Sequence, residues 1–298
     1  MPTNDPKPTK AVRRDEARLK AAQMRKEQEK KAKRNRILAI TGLAVAVLAL
    51  VAVAFTIVNQ NKANEAANSD VVYGQGAENV VAPELADVTS PAPANDKGGI
   101  PVSGDGVGSV GDGDVDLTVY FDYMCPYCGQ FDTTNSADME AMIEEGGVTI
   151  TYHPISILDR LSAGSSYSTR TANATAIVAD QSPEHFTAFV TALYVDQPAE
   201  GTSGRSDAEI AEVAESVGVP AEVTATFTDT VDGTFATQDE DAVDGTWRTF
   251  APWVAAATNQ AGLDLPQLST PAVLINGTAF NEWQTPGALK AAVEAAKS

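Results

Sequence analysis

Residues 37–58 run Ile-Leu-Ala-Ile-Thr-Gly-Leu-Ala-Val-Ala-Val-Leu-Ala-Leu-Val-Ala-Val-Ala-Phe-Thr-Ile-Val, 22 positions without a charge. No water-soluble domain of this size places such a run on its surface. As a helix rising about 1.5 Å per residue it spans a hydrocarbon core of roughly 30 Å. The run therefore divides the chain into a short leading part and a long trailing one. Charge follows the same division. Of 21 Lys/Arg, 13 precede Ile37, against five of 40 Asp/Glu, so the net charge is +8 before the run and −27 after it. A basic flank on one side fixes orientation, with the N-terminus cytoplasmic and the bulk outside. A cleaved signal peptide is the competing reading. The long apolar region and extended basic lead-in favour an uncleaved anchor.

The expected organisation is a basic cytoplasmic tail over 1–36, a transmembrane helix over 37–58, a linker over 59–97 and a folded domain over 98–298. Pro83, Pro91 and Pro93 stiffen the linker, which is expected to be extended and poorly ordered. A segment at −27 repels phosphates, which argues against nucleic-acid binding.

Within the folded part, Leu117 to Phe121 alternates as a strand. Cys125-Pro126-Tyr127-Cys128 follows, and then Phe131, Met139, Met142 and Ile143 recur at helical spacing up to Gly146-Gly147. Val148 to Tyr152 is a second strand, giving a βαβ unit. From about 162 to 262 the pattern reads as helical with no strong strand signal. Ser182-Pro183-Glu184 opens one helix over Phe186, Phe189 and Leu193. Ser206-Asp207-Ala208-Glu209 is a capping box before Ile210, Val213 and Val217. Strand character returns at Thr270-Pro271-Ala272-Val273-Leu274-Ile275, with Asn276-Gly277 as a two-residue hairpin turn. Thr285-Pro286-Gly287 starts a last helix with Leu289, Val293 and Ala296 on one face.

Cys125 and Cys128 are the only cysteines. A C-x-x-C is half a zinc site, a structural pair or a redox centre. Zinc needs four ligands, and the only histidines, His153 and His185, lie far apart in sequence. A strand feeding a helix that begins at Cys125 places its sulfur where unpaired N–H groups and the helix dipole favour a thiolate. Asp112, Asp114 and Asp116 mimic a calcium loop, but Leu117 stands where that loop needs Gly and Tyr123 where it needs Glu. A turn into the first core strand is expected instead, and metal is expected nowhere. His153 is expected to end a strand with a backbone bond, a redox-tuning role being the alternative, and His185 to lie on a helix surface. Trp247, Phe250, Trp253, Phe280 and Trp283 are expected to fill the core, with an apolar substrate surface around the cysteines as the alternative place for some of them. The sequons at Asn173 and Asn276 are left unassigned.

Taken together, Phe-Asp-Tyr-Met-Cys-Pro-Tyr-Cys, the helical insertion and Ser-Thr-Pro-Ala-Val-Leu-Ile-Asn-Gly resemble the DsbA-like disulfide oxidoreductases of the thioredoxin-fold superfamily, over about residues 100–298. The resemblance implies an α/β thioredoxin-like fold with a helical insertion, here behind a single transmembrane helix. It implies Cys125 as the exposed nucleophile, Cys128 as the buried resolving thiol, a cis Pro271 beside them and a substrate peptide held along the backbone of Thr270. Pro126 and Tyr127 would tune the helix start. The family's thioredoxin relatives carry a buried carboxylate where this chain has Val119. Asp122 is the candidate substitute, with a solvated strand end as the plain alternative. The implied redox group is the Cys125–Cys128 disulfide with no other cofactor. The implied partners are secreted protein thiols as substrates and a membrane quinone-linked oxidase for recycling. A reductase or isomerase of the same fold, and a non-catalytic peptide-binding module with a structural disulfide, are the alternatives.

Overall fold

The computed structural model describes residues 10–67, 71–72, 80–239 and 242–297. The chain divides into two compact units, up to Asn59 and from Gln60 onward. The first nine residues of the expected tail, and residues 68–70 and 73–79 of the expected linker, lie outside the described residues.

Helix α1 covers Lys10–Ala67, taking in the described part of the tail, the whole apolar run and the first nine residues of the expected linker. It is long and apolar enough to cross a membrane. Its apolar side chains are exposed, Leu43 and Leu48 at 68% each. The two hydroxyls of the run are already satisfied: Thr41 Oγ1 donates to Ile37 O at 2.9 Å and Thr56 Oγ1 to Val53 O at 2.8 Å. Such back-bonding leaves no unpaired polar group for an apolar solvent to penalise.

The second unit carries strands β1 (Val80–Val81), β2 (Ile100–Ser103), β3 (Gly106–Val107), β4 (Val115–Phe121) and, after helix α2 (Pro126–Glu145), β5 (Val148–Pro154). Helices α3 (Tyr167–Gln181), α4 (Phe186–Tyr194), α5 (Asp207–Ser216) and α6 (Ala221–Thr224) follow. Then come β6 (Thr230–Thr237), β7 (Val243–Arg248), α7 (Ala251–Asp264), β8 (Ala272–Ile275), β9 (Thr278–Ala279) and α8 (Ala288–Ala296). The main sheet has the order β3-β2-β5-β4-β8-β9. β4 and β5 are parallel, joined by α2, whereas β8 runs antiparallel to β4 with Val119 opposite Val273. This is a thioredoxin-like α/β fold with a helical insertion.

The alternation in β4 sorts its side chains. Leu117, Val119 and Phe121 join Phe131, Met139 and Met142 of α2 and Leu289 and Val293 of α8 in the principal core. Tyr120, on the opposite face, packs with Ile155, Ala261 and Leu265. The capping box forms as read, Ser206 Oγ accepting from Glu209 N while the Glu209 carboxylate accepts from Ser206 N. Asn276 and Gly277 turn β8 into β9 with φ of 48° and 75°, the left-handed pair that a tight hairpin needs.

The structure departs from the sequence reading in three places. The insertion is not purely helical: β6 and β7 pair antiparallel within it, and β1 adds a third strand. Their β-branched and aromatic residues are diluted by Asp232-Gly233 and Asp244-Gly245, which hid the period. Gly245 is required there, because a Cβ would sit 2.6 Å from Phe235 Cε1 and 2.8 Å from Val72 Cγ2. The linker, too, ends early. From Val80 the chain is docked, Leu85, Val88 and Ala94 packing on the core and Ala92 N donating to Asp180 Oδ1 at 2.7 Å. Three prolines had suggested extension, but the apolar residues between them supply a face to bury. Third, His153 is buried with its Nδ1 unpartnered, its ring stacked on Tyr120 at 4.2 Å between centroids. Of the aromatics, Trp247, Phe250 and Trp253 are buried, while Phe280 and Trp283 are partly exposed at the core's edge. Asn173 is fully buried, donating to Phe227 O and accepting from Phe250 N.

Leu117 is fully buried at the centre of the sheet. Leu117→Ala is expected to lower unfolding stability by about 2–5 kcal/mol in urea titrations of the second unit, the range for a core leucine cavity.

Candidate active site

β4 ends at Phe121, and the next four residues turn the chain into α2. Asp122 anchors that turn. It is completely buried, not a solvated strand end. One carboxylate oxygen accepts from Met124 N at 2.8 Å and Ser168 Oγ at 2.6 Å, and the other from Leu158 N at 2.9 Å. Its carbonyl accepts from Cys125 N at 3.0 Å. One side chain thus ties the end of β4 to the loop after β5 and to α3. Burial pushes its carboxyl up to about 7, against the pull of these hydrogen bonds.

Cys125 is the N-cap of α2 and Pro126 its first residue. Proline fits there because its missing N–H would have had no helical partner. The donors left at the helix start are those of Tyr127 and Cys128. The Cys125 thiol is lowered to about 6. The Cys128 thiol as hydrogen-bond donor is the largest cause, partly opposed by burial, with Thr270 and the N–H groups of Cys128 and Tyr127 adding to it. Cys128 moves the opposite way, held well above a normal thiol by burial and by the neighbouring sulfur. Two chemically identical groups on one helical turn are therefore driven apart.

The resemblance implied an exposed Cys125, and the structure differs. Cys125 is 5% exposed and Cys128 1%, both free thiols, while Tyr127 between them is 61% exposed. The Thr270–Pro271 segment closes over the first sulfur. Its peptide bond is cis, and Cys125 Sγ donates to Thr270 O at 3.4 Å. The structure thus brings together Asp122, Cys125, Pro126, Tyr127, Cys128, Thr270 and Pro271.

Gln197 was not foreseen. Lying just after α4, it donates through Nε2 to Tyr123 O at 2.8 Å and to Cys125 O at 2.9 Å, bracketing the turn that carries the first thiol. Its approach needs Gly129, where a Cβ would fall 2.3 Å from Gln197 Oε1. A single glutamine in a loop about 70 residues from its targets carries no sequence signal. Cys128 also lines a cavity of about 910 Å³ shared with Phe121, Asp132, Tyr152 and Tyr194. Asp132 accepts from Thr191 Oγ1 at 2.9 Å.

Comparison with known proteins bears on the fold. Residues 110–295 match the family described as Thioredoxin. The fold is similar to that of the MdbA protein of Actinomyces oris, a thiol-disulfide oxidoreductase, at 20% identity and a TM-score of 0.53. That likeness covers 72% of this chain and 99% of that one. The MdbA protein of Corynebacterium matruchotii, also a thiol-disulfide oxidoreductase, is similar at 21% identity and a TM-score of 0.50, covering 67% and 92%. At such identities the likeness establishes the fold. In sequence, 106 residues are 34% identical to the serine/threonine-protein kinase PknE of Mycobacterium tuberculosis, 34% of this chain and 19% of the kinase. The chain thus spans about a fifth of the length of the curated relatives it matches.

The alkylation rate of reduced protein is expected to titrate with a midpoint near pH 6 and to report Cys125 alone. The sign follows from a lowered folded-state pKa: the thiolate is present above the midpoint and lost as pH falls through it. Cys125→Ser should remove the reaction across pH 5 to 8, read by mass spectrometry of the labelled peptide.

Proposed function

The chain belongs to the thioredoxin family, and from that premise we propose that it is an extracytoplasmic thiol–disulfide oxidoreductase that introduces disulfides into secreted proteins. The observation that carries the reading is the placement of Cys125 at the start of α2, one turn from a buried Cys128 and with Thr270 O 3.4 Å from its sulfur, an arrangement that lowers the first thiol to about 6 and raises the second. The redox group is the Cys125–Cys128 disulfide.

In the oxidised form a substrate thiolate attacks Cys125 Sγ. A substrate–Cys125 disulfide forms as the Cys125–Cys128 bond breaks, and the electron pair leaves on Cys128. A second substrate thiolate then attacks the substrate sulfur of the mixed disulfide and releases Cys125 as thiolate. The substrate has lost two electrons, which now reside on the two enzyme sulfurs. A Cys125 thiolate that persists at neutral pH is a good leaving group, so the second step runs toward oxidised substrate. The backbone at Thr270, which lies beside the sulfur, is suited to hold an extended substrate segment there.

Residues 37–58 serve as a single membrane anchor, with the basic tail cytoplasmic and the thiol site outside, where disulfides persist. Repeated turnover needs an oxidant for the reduced pair, and a quinone-linked oxidase in the same membrane fits that role. The acidic outer part suits soluble thiol partners and not nucleic acid.

Cys128→Ala removes the group that competes with substrate for Cys125. Cells carrying it are expected to accumulate disulfide-linked adducts between Cys125 and secreted proteins, seen as reducible bands on non-reducing gels. The adducts should vanish when Cys125→Ser is added. A Cys128→Ala protein that is expressed and folded but never adducted would sink the reading.

A further inference from the structure

The resolving thiol raises a difficulty that the exposed side of the site does not answer. Cys128 is almost wholly buried, and its thiol is held far above neutrality. A sulfur of that kind is a poor leaving group, because leaving rate rises as the thiol's pKa falls. Each time the disulfide opens, Cys128 must receive a proton, and each time it closes, Cys128 must give one up.

Asp122 is badly placed to exchange that proton with solvent. It is completely buried, and both its oxygens are occupied by the three donors that hold the turn. Asp132 is different. It stands four residues after Cys128 on α2, where side chains lie on one face about 5–6 Å apart at Cβ. Both residues line the same cavity of about 910 Å³, far larger than the ~30 Å³ a water molecule occupies. Its walls include Val119, Phe131 and Val190, and its rim is formed by exposed residues of α2 and of the turn before α4, so water in it reaches bulk. Thr191 Oγ1 fixes the carboxylate from α4.

We propose that Asp132 is the proton relay of the buried thiol, exchanging a proton with Cys128 Sγ through water in this cavity whenever the Cys125–Cys128 bond opens or closes. The inference rests on the oxidoreductase reading above. On opening, a substrate thiolate bonds to Cys125, the electron pair passes to Cys128, and Asp132 gives up its proton through water to that sulfur. The Asp132 carboxylate is then reprotonated from solvent. On closing by a disulfide oxidant, the path reverses and Asp132 accepts the Cys128 proton. The chain's own environment suits this. The ionisable groups facing Asp132 are Cys128, Glu140 and Glu144 on α2, Tyr152 on β5, Tyr194 on α4, Glu184 in the turn before α4, and Tyr123 ahead of α2. No Lys, Arg or His is among the described residues that line the cavity. Burial therefore raises the Asp132 carboxyl to about 6, with only the Thr191 hydrogen bond opposing, and both protonation states exist near neutrality.

The test is single-turnover reduction of the oxidised protein by dithiothreitol from pH 5 to 8, followed by stopped flow. Taking the wild-type to Asp132→Asn ratio at each pH cancels ionisation of the reductant. The ratio is expected to be about 10-fold or more at pH 5.5 and to shrink toward unity by pH 8, within the usual range for general-acid catalysis. Asp132→Glu should restore most of the loss. The Cys125 alkylation midpoint should stay in place, which a merely structural defect would not allow. In the wild-type protein, which needs no variant to fold, D2O should slow the step at pH 5.5 and leave it unchanged at pH 8. Equal rates for wild type and Asp132→Asn at pH 5.5, or no isotope effect there, would overturn the relay. A wild-type protein whose pair never forms or accepts a disulfide would overturn the oxidoreductase reading instead.

Discussion

Two sulfurs on one helical turn would titrate alike in water, and the site depends on their not doing so here. Cys125 sits where α2 begins, with the Tyr127 and Cys128 N–H groups and the Cys128 thiol directed at it. Cys128 sits one turn deeper, against Tyr194 and the core, where a charge is expensive. The same helix start that stabilises one anion leaves the other sulfur desolvated. Everything that fixes the pitch and entry of α2 therefore fixes the chemistry. The Asp122 carboxylate, the Gln197 amide and the cis Thr270–Pro271 segment converge on that entry from three separate parts of the chain.

This convergence explains what the insertion contributes. Ser168 on α3, Gln197 after α4 and Thr191 on α4 all reach the turn or the active-site helix from outside the thioredoxin-like core. The insertion is thus a brace for the site as well as a lid on the sheet. Arg170 of α3 and Arg248 of β7 both bond Asp207 at the start of α5, stitching the insertion to itself. Because Arg170 is largely buried, the pair fixes geometry more than it adds stability.

Much of this was legible in the sequence where local chemistry decides the outcome. The alternation of Leu117 to Phe121, the Ser206 capping box and the Asn276-Gly277 turn are short-range signals, and each appears in the structure as read. The C-x-x-C and Thr-Pro segments were readable as a pair only through resemblance, since 145 residues separate Cys125 from Thr270. What escaped was set by tertiary context. β6 and β7 have glycine and aspartate where strand periodicity would show, and Val80 to Ala94 has prolines that masked a docking face. Asp122 was readable as a candidate, but burial by Leu158 and Ser168 is invisible in the local sequence. Gln197 had no signal. Asp132 had one, its i+4 spacing from Cys128, which takes on meaning only beside the cavity.

The central claim is that unequal stabilisation of the two sulfurs makes this pair an oxidant. It is tested most directly by the reduction potential of Cys125–Cys128 at pH 7, measured by equilibration with glutathione redox buffers. A thiolate stabilised in the reduced form raises the potential, and the account predicts a value around −120 mV, in the range of strong disulfide oxidants. A value near −270 mV, in the range of thiol reductants, would contradict it.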